Sequence, residues 1–191
     1  MKIKEIILIG HAKVGLSDNM KIDSSKVNYW VDRYNFSSLS FTSKPSKETC
    51  YIVNKADYLC TSTLLRTINS AKYFEKEVDE NNELFNEVGM PSIYIPWLKF
   101  KVKNWLIILK LLLFAGKGKG KDALKVSKFR AKKATLNLLK LSEEHNRVVL
   151  IGHTGMNNLI YKVLLRQGWE LISKTPSDDW GTYRFQVKKE T

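Results

Sequence analysis

Three histidines occur in the chain, and two of them end nearly identical stretches, Ile7-Leu8-Ile9-Gly10-His11 and Val149-Leu150-Ile151-Gly152-His153. An imidazole titrates near neutrality and serves as nucleophile, proton carrier or metal ligand. In open α/β sheets, ligands bind outside the carboxyl ends of the strands, so a histidine directly after a buried strand, twice, aims two rings at one crevice. Each ring alone also reads as a structural histidine at a strand end; the pair points to a site. A further strand ends at Thr61-Ser62, and the helix after it carries Arg66. Two imidazoles and a guanidinium beside helix N-termini describe a pocket for a tetrahedral dianion. No metal is expected, because neither His11 nor His153 has a ligand-type residue two to four positions on. No cofactor is expected either. Gly116 to Gly120 has glycines but lacks the preceding strand and the Gly-Lys-Ser/Thr ending of a nucleotide loop, and no Gly-x-Ser-x-Gly elbow occurs. His145, in Ser142-Glu143-Glu144-His145-Asn146, reads as a solvated helix end.

The elements that position these residues are legible as hydrophobic patterns. Ile3 to Ile9 and Arg147 to Ile151 are short, β-branched apolar runs, the pattern of strands covered on both faces in an α/β protein. Ala56 to Ser62 reads as a strand followed at once by a helix over Thr63 to Lys76, a right-handed βα unit. A helix from Thr154 to Arg166 follows His153. Ser25 to Tyr34 places Val27, Trp30, Val31 and Tyr34 on one helical face. A further helix is expected over Trp97 to Ala115. After a flexible break at Gly116-Lys117-Gly118-Lys119-Gly120, a long one follows over Lys121 to His145, with Leu124, Phe129, Leu136, Leu139 and Leu141 as its apolar positions.

With 191 residues, 43% of them hydrophobic and 27% charged, the chain is long enough for one domain with a real core. Cys50 and Cys60 are too few for a disulfide scaffold and sit in apolar surroundings, as buried hydrophobes do. The start, Met1-Lys2-Ile3-Lys4-Glu5, is charged where a signal peptide is apolar, so a cytoplasmic location is expected. The net charge of +13 is concentrated: residues 99 to 140 hold thirteen Lys and Arg against one acid, Asp122, and the remainder nets +1. The apolar runs within this segment fall far below the ~20 residues of a membrane span.

Four stretches, in order, resemble the histidine phosphatase (phosphoglycerate mutase-like) superfamily, and within it the small phosphohistidine-phosphatase branch. Gly10-His11-Ala12-Lys13 resembles the first motif, Arg-His-Gly or Arg-His-Ala-Lys. Ser62-Thr63-Leu64-Leu65-Arg66 with Ser70-Ala71 resembles the second, Leu84-Phe85-Asn86-Glu87 resembles the element that carries the acid, and Gly152-His153-Thr154-Gly155 resembles the last. The resemblance implies a three-layer α/β fold, a mainly parallel sheet flanked by helices, as a single domain over residues 1–191. It implies a helical basic cap at about 97–133.

It also implies roles. His11 is the nucleophile that forms a phosphohistidine, Arg66 and His153 hold the phosphoryl oxygens, and Glu87 is the general acid; Asp57 and Glu48 are weaker candidates for that acid. Lys13, Ser62 and Thr154 are expected to contact substrate, a small phosphorylated molecule or a phosphoprotein. One departure stands out: the family's arginine before the nucleophile is Gly10 here, and losing one preorganised donor to a developing anion typically costs ~10²–10³ in rate. Lys13 is a point charge and does not reproduce a bidentate fork. The competing expectation is therefore a weak or inactive phospho-ligand-binding module on the same fold. For the basic segment, three expectations compete: a lid that steers anionic substrates, plain solvated helix faces, and contact of residues 97–121 with an anionic membrane surface or a partner's groove. Nucleic acid ranks last, since no recognition module accompanies the charge.

Overall fold

Ile6 to Ile9 are fully buried, and so are Val148 to Ile151. Each run alternates sides: Ile6, Leu8, Val148 and Leu150 join one core cluster, and Ile7, Ile9, Val149 and Ile151 join another. A strand that buries both faces needs a helical layer on each side, and the computed structural model has that form. It describes residues 3–91, 93–115 and 119–187.

The elements run β1 (Glu5–Gly10), β2 (Lys21–Asp23), α1 (Val27–Phe36), α2 (Lys47–Asn54), β3 (Tyr58–Thr61), α3 (Leu65–Ala71) and β4 (Glu80–Asn81). They continue with β5 (Lys99–Lys101), α4 (Val102–Ala115), α5 (Lys119–Glu144), β6 (Arg147–Gly152), α6 (Thr154–Arg166), β7 (Trp169–Thr175) and β8 (Thr182–Val187). The main sheet has the order β4-β3-β6-β1-β8-β7. Its first four strands are parallel and the last two pair antiparallel. Residues of α5 and α6 (Ala131, Leu138, Met156, Ile160) cover one face, and Ile52, Val53 and Ala71 of α2 and α3 cover the other. The α/β class and the mainly parallel sheet between helices are as expected.

A third cluster stands beside this sandwich. Ile22, Val27, Trp30, Val102, Trp105 and Leu109 pack together and join β2, α1, β5 and α4. The basic region is therefore built jointly with residues from the first forty.

Four local readings change. Lys99–Lys101 is a strand paired with β2, and the helix expected from Trp97 begins at Val102. Lys99-Phe100-Lys101 alternates with period two, which places Phe100 against Trp105, ring centroids 5.2 Å apart. The helix expected over Thr63 to Lys76 is only Leu65–Ala71, because Tyr73 and Phe74 turn edge-on to Trp180. Phe129 and Leu136 face solvent; the inner side of α5 consists of Ser127, Ala131, Ala134, Thr135, Leu138 and Ser142, mostly small residues that let the helix lie close on the sheet. His145 is half-buried against Tyr58, 4.7 Å between centroids. The break expected at Gly116–Gly120 falls largely outside the described residues at 116–118, and α5 already includes Lys119. Cys60 is buried, its thiol pKa pushed far up by that burial and by Glu80 and Asp79; Cys50 is half-buried, and both are free. Among the described residues, no helix is long and apolar enough to cross a membrane.

Glu5 ties three strands at the end of the sheet away from the histidines. Its carboxylate meets Arg147 of β6 at 2.7 Å and Arg184 of β8 at 2.8 Å, with Gln186 at 3.1 Å. Burial raises its pKa, and the hydrogen bonds from Arg184, Gln186 and Arg147 more than offset this, so the carboxyl lies below its ordinary value. Such a group stabilises above its unfolded pKa and loses that contribution as the pH falls through the folded one. Both arginines retain contact with water, so Glu5→Gln is expected to lower stability by only about 1 kcal/mol at neutral pH. Denaturant midpoints at pH 7 and pH 3 check this: the gap between wild type and variant should narrow in acid.

Candidate active site

The register of β1 against β6 places Gly10 opposite Gly152. Both strands run parallel, so His11 and His153 leave the sheet side by side, and the His11 amide donates to the Gly152 carbonyl at 3.0 Å. Their rings lie 5.2 Å apart at 65°. β3 ends beside β6, with Thr61 opposite Ile151, which brings Ser62 and the following α3 to the same rim. Arg66 then projects from α3 between the two rings.

The hydrogen bonds define both tautomers. His11 Nδ1 lies 2.6 Å from the Ala12 carbonyl, which only accepts, so Nδ1 carries the proton. Arg66 Nε only donates, and it reaches His11 Nε2 at 3.2 Å. Nε2 is therefore a lone pair directed into the site. The same Nε–H reaches His153 Nδ1 at 3.2 Å, so His153 carries its proton on Nε2 and donates it to Ser62 Oγ at 2.8 Å. Ser62 passes its own hydroxyl hydrogen to Thr67 Oγ1 at 2.7 Å, and Thr67 donates to the Leu64 carbonyl at 2.8 Å. Both imidazoles are neutral in this network.

Electrostatics agree with that assignment. Burial chiefly lowers the His11 pKa to about 4; the hydrogen bond to the Ala12 carbonyl partly opposes it, the Arg66 charge adds to the lowering, and Asp179 raises it slightly. His153 lies well below the ordinary histidine value for the same leading reason, with Arg66, His11 and Arg130 adding to it. Arg66 is only 4% exposed, its other recorded partners being Asn35 Oδ1 at 2.7 Å from Nη1 and the Tyr34 ring 5.4 Å from its guanidinium carbon. Among the described residues no carboxylate pairs with it. A buried cation without a counter-charge is costly, and an anion placed beside it removes that cost. The start of α6, directly after His153, adds backbone N–H groups at the same place.

The backbone under His11 is held from two sides. The Ala12 amide donates to Ser70 Oγ at 2.9 Å, and Ser70 donates to the Arg66 carbonyl at 2.6 Å, which couples the loop that carries His11 to α3. The Gly10 amide donates to the Gly181 carbonyl at 2.8 Å, and the Trp180 amide to the His11 carbonyl at 3.4 Å. Trp180 has φ of 57°, a left-handed conformation that a bulky residue rarely adopts, held by its packing against Tyr73 and Phe74.

Of the residues singled out from sequence, His11, Arg66 and His153 are in direct contact. Glu87 is next to them: its Oε1 accepts from the Val88 amide at 2.8 Å and from the Met156 amide in the first turn of α6 at 3.1 Å. A Cβ on Gly155 would meet that oxygen at 2.5 Å, so the close approach requires glycine there. Ser62 is fully buried behind His153 and orients that ring. Thr154 is exposed at the first turn of α6. Lys13 is exposed; its amide donates to Ser43 Oγ at 2.9 Å and its carbonyl accepts from the Ser40 amide at 2.8 Å. Asp57 precedes β3 and binds the Arg147 amide at 2.9 Å, at the opposite end of the sheet, and Glu48 sits in the first turn of α2. Among the described residues no three His, Cys, Asp or Glu side chains gather as a metal site.

Asn35, Tyr34 and Arg130 were not read from the sequence. Arg130 of α5 donates from Nη2 to the carbonyls of Asn86 and Glu87 at 2.8 and 2.6 Å, which holds the acid's loop. The Tyr34 position on the inner face of α1 was a signal for its burial, but no spacing links α1 or α5 to α3.

No family model and no curated protein matches the chain. Solved structures do resemble it. A histidine-to-alanine variant of phosphoserine phosphatase from Entamoeba histolytica, in complex with phosphoserine, is 15% identical, with 95% of this chain and 89% of that one covered at a TM-score of 0.55. Phosphoserine phosphatase from the same organism, in complex with 3-phosphoglyceric acid, is 14% identical, with 97% and 98% covered at a TM-score of 0.52. At these identities the likeness is one of fold.

The two neutral histidines give a testable pH dependence. Their folded pKa values lie below the unfolded value of about 6.5, so as the pH falls below that value the unfolded chain binds protons that the folded chain does not. Stability should fall with acid by about 1.4 kcal/mol per pH unit for each histidine, until about pH 4 for His11. His11→Asn should remove its share of that slope, read from denaturant midpoints between pH 6.5 and 4.5.

Proposed function

We propose that the protein is a phosphatase of the histidine phosphatase superfamily, nearest the small phosphohistidine-phosphatase branch, acting on phosphomonoesters or on phosphohistidine. The observation that carries this is the single Arg66 Nε–H shared by His11 Nε2 and His153 Nδ1, which leaves a neutral nucleophile beside a buried cation that forms no ion pair among the described residues. His11 Nε2 attacks phosphorus, the bond to the leaving oxygen breaks, and Glu87 gives that oxygen a proton. Water then attacks the phosphohistidine, Glu87 takes its proton, and Nε2 leaves. His153 offers a lone pair on Nδ1; a bound dianion raises its pKa, and a proton there makes it a donor to a phosphoryl oxygen alongside Arg66. Lys13 and Thr154, both exposed near these groups in sequence, are the proposed outer contacts. Residues from about 97 to 133 act as the cap, whose lysines concentrate anionic substrates. The free thiols Cys50 and Cys60 fit a reducing compartment, the cytoplasm.

Gly10 favours a second reading, a phospho-ligand-binding module with little or no turnover. The glycine is not there for lack of room. A Cβ on it would meet nothing nearer than 3.6 Å, at the Gly181 amide, and it lacks the positive φ that only glycine adopts readily. An arginine side chain is thus admissible at its root.

Hydrolysis of para-nitrophenyl phosphate in the presence of a chelator tests the first reading. Turnover should persist with chelator and vanish in His11→Ala, and Glu87→Gln should lower kcat by roughly 10²–10⁴-fold. Absence of turnover, with phosphate still bound, supports the binding module instead. Gly10→Arg is expected to raise kcat by at least tenfold, as a restored donor to the transferring group; an unchanged or lower kcat in a folded variant means that the site does not use a cation from that position.

A further inference from the structure

α5 has two unlike halves. Its inner half is buried on the sheet, and Arg130 holds the loop of Glu87. On its outer half Val126, Phe129 and Leu136 are 65%, 60% and 61% exposed. At 3.6 residues per turn these three fall within an arc of about 80°. Lys125, Lys132, Lys133 and Lys140 are exposed on the same half, and no acid occurs between Ala123 and Ser142. Lys133 Nζ stands 4.9 Å over the Phe129 ring. α4 packs against α5 and also exposes Ile107 and Leu111 beside the exposed Lys103 and Lys110.

The inner side of α5 already supplies its share of the core, and the outer apolar residues stay mostly exposed among the described residues. Their surroundings narrow the occupant. A nucleic acid would use the lysines and gain little from Val126 or Leu136. An apolar protein groove would use Phe129 and Leu136 but would have to accommodate four cations with no acid among them. An interface of hydrocarbon below and anionic phosphate above uses both. We propose that the outer face of α5, continued by α4, rests on a phospholipid bilayer that carries acidic headgroups. Phe129 and Leu136 enter the acyl boundary and the lysines lie among the headgroup phosphates. This extends membrane contact beyond residues 97–121, and it stands independently of the phosphatase reading.

Flotation of the full-length protein with vesicles of phosphatidylcholine alone, or mixed with phosphatidylserine, tests it. Binding is expected only with phosphatidylserine and should weaken as salt is raised. Phe129→Ser with Leu136→Ser should abolish most of it, and Lys132→Gln with Lys133→Gln should weaken it roughly 30-fold. All four residues are exposed, and circular dichroism and melting confirm that both variants fold; should the serine variant melt early, the glutamine variant carries the comparison. Failure to float with acidic vesicles at low salt overturns the proposal, as does equal binding to neutral vesicles. Binding that ignores the serine changes, matched by equal retention on nucleic acid, overturns it in favour of general polyanion attraction.

Discussion

One buried N–H vector organises this molecule's candidate chemistry. Arg66 Nε points between two imidazole lone pairs 3.2 Å away, and neither ring can leave its tautomer while that donor and the far-side partners stay in place. The Ala12 carbonyl fixes one ring and Ser62 the other. The arrangement has a price: a cation and two imidazoles are removed from water, and among the described residues no carboxylate forms an ion pair with Arg66. Neutral rings tolerate that burial, and their low pKa values follow from it. What remains is a preorganised, electropositive hole of the kind in which transition-state charge is stabilised without reorganisation.

The parallel register is what creates the vector. Gly10 opposite Gly152 sets the two histidines at equal height on the rim, and the third parallel strand delivers Ser62 and the start of α3 beside them. A shift of one residue in β1 against β6 would turn one ring to the opposite face. The unbroken burial of Ile6 to Ile9 and of Val148 to Ile151 resists such a shift, because each face is already matched to its own helical layer. Core packing and site geometry are thus one constraint seen twice.

The strands and the paired histidines were legible in the sequence because a strand buried on both faces leaves an apolar run that ends abruptly, and that signal is local. Arg66 was legible through its distance from the same rim. Asn35, Tyr34 and Arg130 were not, since they reach the site through helix packing that no spacing encodes. The errors share a cause with these omissions. In α5 the larger apolar residues Phe129 and Leu136 read as part of the core face, whereas the residues that meet the sheet are Ala131, Ala134, Thr135 and Leu138. At Lys99–Lys101 a long apolar stretch masked a three-residue alternation that only pairing with β2 brings out.

α1 and α5 couple the basic region to the rim from opposite sides, one through Asn35 on Arg66 and the other through Arg130 on the loop of Glu87. A crystal structure of the protein soaked with orthovanadate examines the arrangement at its centre. The result that follows from this account is vanadium bonded to His11 Nε2, with its oxygens on Arg66 and His153. Vanadate bound elsewhere, or a rim still closed by the Arg66–histidine contacts at saturating vanadate, would contradict it.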